Sequence, residues 1–219
     1  WAPTSDDASM KSCSIIAYVD GLQWTFRGAT GSWRVEMQAG ALAYIVFDLV
    51  AMPASDTLGS VIADYASSAG AITDAMVQAA LAVRTTPLRF ADAIVEFDRV
   101  AMQVRNASVA CTVSTVFTDN PASQFAVDPA TVTGRTIEVQ VDPLMRSSNG
   151  HAAWTRMIQG VSAPLVIKFG GIVGGTRVMI TLPAARVLSM TPGERDQLGA
   201  DTIRFQADGV NSGVFLCCW

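Results

Sequence analysis

The chain has one histidine among 219 residues, and that limits its chemistry more than any motif does. A multi-histidine metal site and an HExxH helix are both impossible. A Ser-His-Asp or Cys-His arrangement would have to be built on His151. His151 follows Asn149-Gly150 at an expected helix start, where a surface or capping role is the plain reading. The cysteines are Cys13, Cys111, Cys217 and Cys218, with no CxxC and no metal-ligand spacing. The adjacent pair is poorly shaped for bridging itself, and the set fits a reduced, cytosolic setting better than a secreted one. Lysine occurs only at Lys11 and Lys168, and no GxxxxGK[ST] is present. Gly170-Gly171-Ile172-Val173-Gly174-Gly175 has the glycines of a phosphate loop without its lysine or its following helix, so it reads as a hairpin tip. Asp6-Asp7 and Glu194/Asp196 fall in loop-like sequence and read as solvated charge. Trp24, Trp33 and Trp154 sit in or beside strand or helix patterns, where packing or a subunit contact explains them better than ligand stacking. No catalytic residue, cofactor or metal ligand is assigned, and an enzyme would rest on His151 alone.

The elements that would position these residues are mostly short strands. Residues 1–12 are small and polar and read as an N-terminal arm. The chain opens on Trp1, so the initiator is expected to have been removed or the numbering to start inside a longer product. Ser14–Val19 and Leu22–Arg27 flank an Asp20-Gly21 turn signal. Gly28-Ala29-Thr30-Gly31 reads as a second turn. From Trp33 to Gln38, Val35 and Met37 alternate with Arg34, Glu36 and Gln38, a strand with one wet face. Ala41–Val50 is almost wholly apolar and reads as a strand covered on both faces. Residues 51–90 form an Ala- and Ser-rich excursion. Within it Asp56–Tyr65 reads as a short helix, and Asp74–Val83 fits either a helix or an alternating strand.

Strands resume at Ile94. Ile94–Arg105 is long enough for one bent strand or two, and Ser108–Thr118 alternates. Arg135–Asp142 sets Ile137, Val139 and Val141 against Glu138, Gln140 and Asp142. Asn149–Gln159 reads as a helix, with Ala152, Ala153, Met157 and Ile158 on one face and Gly160 as its stop. Pro164–Phe169 and Thr176–Leu182 form a hairpin, Thr191-Pro192-Gly193 a loop, Thr202–Ala207 a strand and Val214–Trp219 a last one. The order has no βαβ rhythm, so the fold class is all-β, sandwich- or barrel-like, with one to three short helices in insertions. Residues 13–219 read as a single domain. Val35-Glu36-Met37-Gln38 and Ile137-Glu138-Val139-Gln140 repeat one pattern. Either this is chance, or two equivalent strands share one surface.

Composition sets the outer limits. Half the residues are hydrophobic, 16% are charged and the formal charge is −4. Mean hydropathy is +0.33. Such a chain is neither disordered nor a basic grip for nucleic acid or an anionic membrane. A spanning helix needs about 20 apolar residues, whereas the longest apolar run, Ala39–Val50, contains Asp48. So much apolar surface with so little charge is most simply buried between subunits. The Cys217-Cys218-Trp219 terminus fits the same idea, or a buried last strand.

Three stretches resemble the major tail tube proteins of long-tailed, siphovirus-type bacteriophages. They are Gly28–Gly40 with the strand Ala41–Asp48, Ile94–Val104 followed by Asn106, and Val132–Pro143 followed by a short helix and an apolar strand pair ending at Leu182-Pro183. The resemblance spans about Ser12 to Phe215 and rests on turn chemistry and the order of elements. It implies a structural virion protein of the phage tail, assembled in the host cytoplasm without membrane insertion. Six-fold rings of the chain itself would stack into a hollow tube through which DNA is ejected without specific binding. Tail tip or baseplate, tape measure and tail terminator proteins would be further partners. Such a ring would carry about −24, which discourages DNA from sticking. The polar faces Arg34, Glu36, Gln38 and Glu138, Gln140, Asp142 are then candidates for the lumen. Trp33, Cys217, Cys218 and Trp219 are candidates for contacts between subunits. The alternatives are a terminator or connector ring that does not polymerise, and a monomeric β-sandwich binding module.

Overall fold

The computed structural model describes residues 12–19, 22–53, 62–64, 88–123, 125–144, 147–170, 177–209 and 213–218. The expectations for residues 1–11 of the N-terminal arm, the Asp20-Gly21 turn, Asp74–Val83, residues 171–176 and Trp219 fall outside them. The described strands join one 12-stranded sheet. In chain order they are β1 (Cys13–Val19), β2 (Leu22–Gln38), β3 (Tyr44–Pro53), β4 (Ile62–Asp64), β5 (Ile94–Phe97), β6 (Val100–Met102), β7 (Val104–Val116), β8 (Thr131–Pro143), β9 (Ala163–Gly170), β10 (Arg177–Arg195), β11 (Leu198–Ala207) and β12 (Phe215–Cys218). The helix α1 (Ser147–Gln159) lies between β8 and β9. The all-β reading therefore stands. No described helix is long and apolar enough to cross a membrane.

The sheet curls on itself. Its path runs β1-β2-β7-β8-β11-β10-β9-β5-β6, and β6 continues into β7 through Gln103 alone. The strands from β7 round to β6 thus enclose a core. Period-2 alternation supplies it: Val109 and Cys111 from β7, Ile137, Val139 and Val141 from β8, Leu165 and Ile167 from β9, Ile180 and Leu182 from β10, Ile203 and Phe205 from β11 are all buried. Phe97 and Phe205 meet at 4.8 Å between ring centroids, Phe90 and Phe169 edge-on at 5.6 Å. Each such side chain contributes about 1.5–3 kcal/mol by leaving water.

Several expected boundaries move, for identifiable reasons. Gly28–Gly31 is not a turn, because β2 runs straight through it. Gly28 takes a left-handed φ of 65°, and the β2–β3 register slips between Arg27 and Thr30, a bulge. At Gly31 a Cβ would collide with the carbonyl oxygen of Asp48 on β3. Ile94–Arg105 is a hairpin, turned by Asp98 and Arg99 at φ 51° and 66°, residues without the usual Gly or Asn signal. Thr191-Pro192-Gly193 lies inside β10. The turn falls at Asp196-Gln197, φ 52° and 63°, and Pro192 is tolerated because this half of β10 is an edge. Of Asp56–Tyr65, expected as a short helix, only residues 62–64 are described, and they form β4, paired with Leu22–Trp24 of β2, whose backbone groups need a strand partner.

Strand β3 departs most from expectation. It is not covered on both faces: Tyr44, Ile45, Phe47 and Val50 are exposed. Among the described residues β3 pairs with β2 alone, so an apolar run that reads as buried is there an outer edge. The helix starts two residues early, at Ser147, and ends as expected at Gly160, φ 64°. Its Ala153 is buried and Met157 packs on the core, but Ile158 is exposed, so Ile158 is not on the buried face.

Candidate assembly surface

The two polar half-strands of the sequence stand on one face. In β2, burial of Val35 and Met37 forces Arg34, Glu36 and Gln38 to the other side of the sheet. In β8, burial of Ile137, Val139 and Val141 does the same for Glu138, Gln140 and Asp142. Strand β7 lies between them and aligns both. One row across the sheet reads Tyr44, Glu36, Ser108, Gln140, Arg204. The next reads Val46, Arg34, Ala110, Glu138, Gln206, Arg186. The repeated sequence pattern therefore corresponds to two strands of one continuous surface.

Four ion pairs lie on this surface and at its rim. Arg34 Nε meets Glu36 Oε1 at 2.7 Å and Arg204 meets Glu138 at 2.9 Å. At the end where β2 turns toward β3, Arg195 meets Asp142 at 3.4 Å and Arg105 meets Asp196 at 3.9 Å. Tyr44 donates a hydrogen bond to Glu36 Oε2. That bond, with the Arg34 hydrogen bond and charge behind it, holds the Glu36 carboxyl below its ordinary range. The same contact pushes the Tyr44 hydroxyl up. The face is thus polar and charge-balanced rather than acidic. A cavity of about 420 Å³ opens on it, lined by Glu36, Gln38, Tyr44, Asn106, Gln140 and Asp142 among others.

Asp142 differs from its neighbours. Its Oδ1 accepts hydrogen bonds from the backbone N–H groups of Arg105 and Asn106, and its Oδ2 accepts one from Asn106 Nδ2. These bonds close the register shift between Val104 and Ala107 in the β7–β8 pair. Asp142 therefore anchors the fold as well as facing the polar side.

The opposite face of β2 and β3 is apolar. Ile45, Phe47 and Leu49 line a trough of about 420 Å³ with Trp33, Val35, Cys13 and Leu216. Trp33 is half-buried there. Cys217 and Cys218 are exposed on β12, and their neighbour Leu216 brings that strand to the same trough. Trp24 stacks on Phe26 at 6.3 Å, 13° from parallel. Trp154 is 50% exposed on α1. His151 lies within α1, and its side chain is outside the described residues. Among the described residues no group of three His, Cys, Asp or Glu is placed to hold a metal ion. Sequence reasoning missed Tyr44, Asn106, Ser108 and Arg204, because only the cross-strand register puts them beside Glu36 and Gln140.

No protein-family model matches the chain, and no curated protein does. Solved structures with similar backbone include a chain from the virion of a native gene transfer agent particle, at 13% identity and TM-score 0.42, covering 55% of this chain and 94% of that one. Another is from the anti-feeding prophage cap, the tube-terminating cap, at 13% and 0.48, covering 62% and 93%. A third is from the sheath–tube complex of an extracellular contractile injection system in its extended state, at 12% and 0.47, covering 64% and 97%. All three scores fall below 0.5, so what this chain does is argued from its own geometry.

Proposed function

We propose that the chain is a structural subunit of a phage-type tail tube, whose copies close into six-fold rings that stack around a DNA passage. One observation carries this reading: the polar, charge-balanced face ends at two edges, β3 and the half of β10 beyond Ala185, that run in opposite directions. From β3 through β2, β7, β8 and β11 to β10, every neighbouring pair is antiparallel. Six alternating strands leave β3 and β10 running in opposite directions. Among the described residues no strand pairs with the outer side of β3, which Leu88–Phe90 meet only ahead of Tyr44, and β10 beyond Ala185 pairs only with β11. A copy related by rotation about an axis along the strands would therefore present an antiparallel edge to its neighbour. Such a heterologous contact closes into a ring and removes both edges, which on a free monomer invite aggregation.

In that ring the polar face of Arg34, Glu36, Gln38, Glu138, Gln140 and Asp142 would line the bore. Paired charges and uncharged amides give passing phosphates nothing to grip, whereas a bore rich in unpaired lysine or arginine would hold them. The resemblance in sequence to tail tube proteins points the same way.

Negative-stain electron microscopy of the concentrated chain, with and without tail-tip seeds, tests the reading. Long hollow tubes with regular striations are expected. Single rings that never stack would make it a terminator, and a persistent monomer would overturn it. In an infectious particle, the double change Glu138→Lys with Gln140→Lys should leave tubes intact and impair genome delivery. Normal delivery would move these residues off the bore.

A further inference from the structure

On the reading of the chain as a ring subunit, we infer that the seam between neighbours is built by β3 of one copy against β10 and α1 of the next. Asp48 faces Arg186 on the polar side of this seam, and Phe47 packs on Trp154 and Ile158 on the apolar side. Two pairs of otherwise unexplained features carry this.

The first pair is charged. Asp48 stands opposite Ser32, on the polar face of β3, and Arg186 stands opposite Gln206, on the polar face of β10. They occupy the two margins of the same face, and both are exposed. Neither makes an ion pair among the described residues, while the other charges named on this surface and its rim are paired. Their rows are adjacent, because Arg186 lies in the row of Val46, two residues from Asp48. When the β3 edge of one copy meets the β10 edge of the next, opposite charges come together at the junction.

The second pair is apolar. Phe47 is 62% exposed and Ile45 49% exposed on the inner side of β3, where the trough with Trp33 lies open. On the other flank, α1 is 13 residues long and its ends are fixed beside the open half of β10. Leu144, ahead of α1, bridges Ala200, which pairs with Gly193. Ala163, behind it, pairs with Ala185. Ala153 joins the core, so α1 lies on the apolar side of the sheet. It turns outward Trp154, 50% exposed, and Ile158, 68% exposed, a stripe at i, i+4 spacing. A neighbour docked edge to edge brings this ridge under Ile45 and Phe47. One contact then covers two apolar patches that a soluble monomer would leave wet.

Charge reversal and cross-linking test the seam. Asp48→Arg and Arg186→Asp should each raise the concentration needed for rings by roughly tenfold, and the double variant should return toward the parent. Both side chains are exposed, so the circular dichroism and melting of the monomer should not change. In a chain carrying Cys13→Ser, Cys217→Ser and Cys218→Ser, Phe47→Cys with Ile158→Cys should give oxidised oligomer ladders in rings and none in dilute monomer. If the parent forms rings while both reversals assemble normally and no ladder appears, the seam is overturned and the ring reading stands. A parent that never leaves the monomer overturns both.

Discussion

Asp142 and Asn106 are joined twice: Oδ1 of the carboxylate accepts the Asn106 backbone N–H, and Oδ2 accepts Asn106 Nδ2 at 2.9 Å. The same Oδ1 takes the Arg105 N–H at 2.9 Å, and Arg195 reaches both the Asp142 carbonyl and its carboxylate. The Arg195 and Asp142 side chains are largely shielded. A carboxylate that satisfies two backbone donors at a bulge and also holds an arginine is costly to remove, because the donors are left unpaired.

Asp142→Ala is therefore expected to destabilise the subunit by about 3 kcal/mol, a fall in Tm of roughly 6–12 °C. Glu138→Gln breaks one exposed pair with Arg204 and should cost less than about 1 kcal/mol. Thermal unfolding of the two variants side by side checks this. Equal losses would mean that Asp142 is only another surface charge.

The Glu36 and Tyr44 contact predicts a pH signature. Glu36 titrates below its ordinary value chiefly because Tyr44 donates to it, with Arg34 adding a hydrogen bond and a charge. A depressed folded value contributes stability above the unfolded value and loses it as pH falls through the folded one. Tyr44 is raised by Glu36, so its share holds below the unfolded value and is lost as pH rises through the folded one. Tyr44→Phe should move the Glu36 titration up toward the ordinary carboxylate range. Carboxyl carbon NMR across the acid range measures it, and an unmoved midpoint would assign the shift to Arg34 alone.

How much of this was legible in the sequence depends on which residue is asked. The alternations Arg34–Gln38 and Arg135–Asp142 showed their wet faces directly, because burial of Val35 or Val139 fixes the parity of every neighbour. The sequence could not show that β7 stands between them, since register is a long-range property. That is why Glu36 and Gln140 were expected as lumen candidates without their partners Tyr44, Ser108 and Arg204. The turns at Asp98-Arg99 and Asp196-Gln197 carry no glycine and went unread. Pro192-Gly193 signals a break, yet it lies in a strand whose free side tolerates proline. Phe47 was misread for the opposite reason: an apolar strand and an apolar edge awaiting a partner look the same in one chain.

Asp201 gives a prediction of opposite sign. It is 5% exposed on β11, and burial pushes its carboxyl up. A raised folded value means that the native state binds the proton more tightly, so the penalty is absent below the unfolded value and complete above the folded one. Asp201→Asn should therefore raise Tm at pH 7 by about 2 °C and leave it unchanged near pH 3. A variant that loses stability at both pH values would show that the carboxylate has a structural partner.

The four thiols report on the free and assembled states together. Cys111 is buried between β2 and β8, and burial pushes its thiol up, so little thiolate forms. Cys13, Cys217 and Cys218 are exposed. Iodoacetamide should label these three in the folded monomer and reach Cys111 only on unfolding. In assembled rings Cys13, which shares the trough with Phe47, should be shielded when α1 of the neighbour covers it. Cys217 and Cys218 should be shielded only if β12 also meets a subunit. Mass spectrometry of peptides labelled before and after assembly separates these outcomes. Protection of Cys13 with free Cys217 and Cys218 would confine the contact to the trough, and protection of all three would extend it along β12. Full labelling of Cys13 in rings would place the neighbour elsewhere.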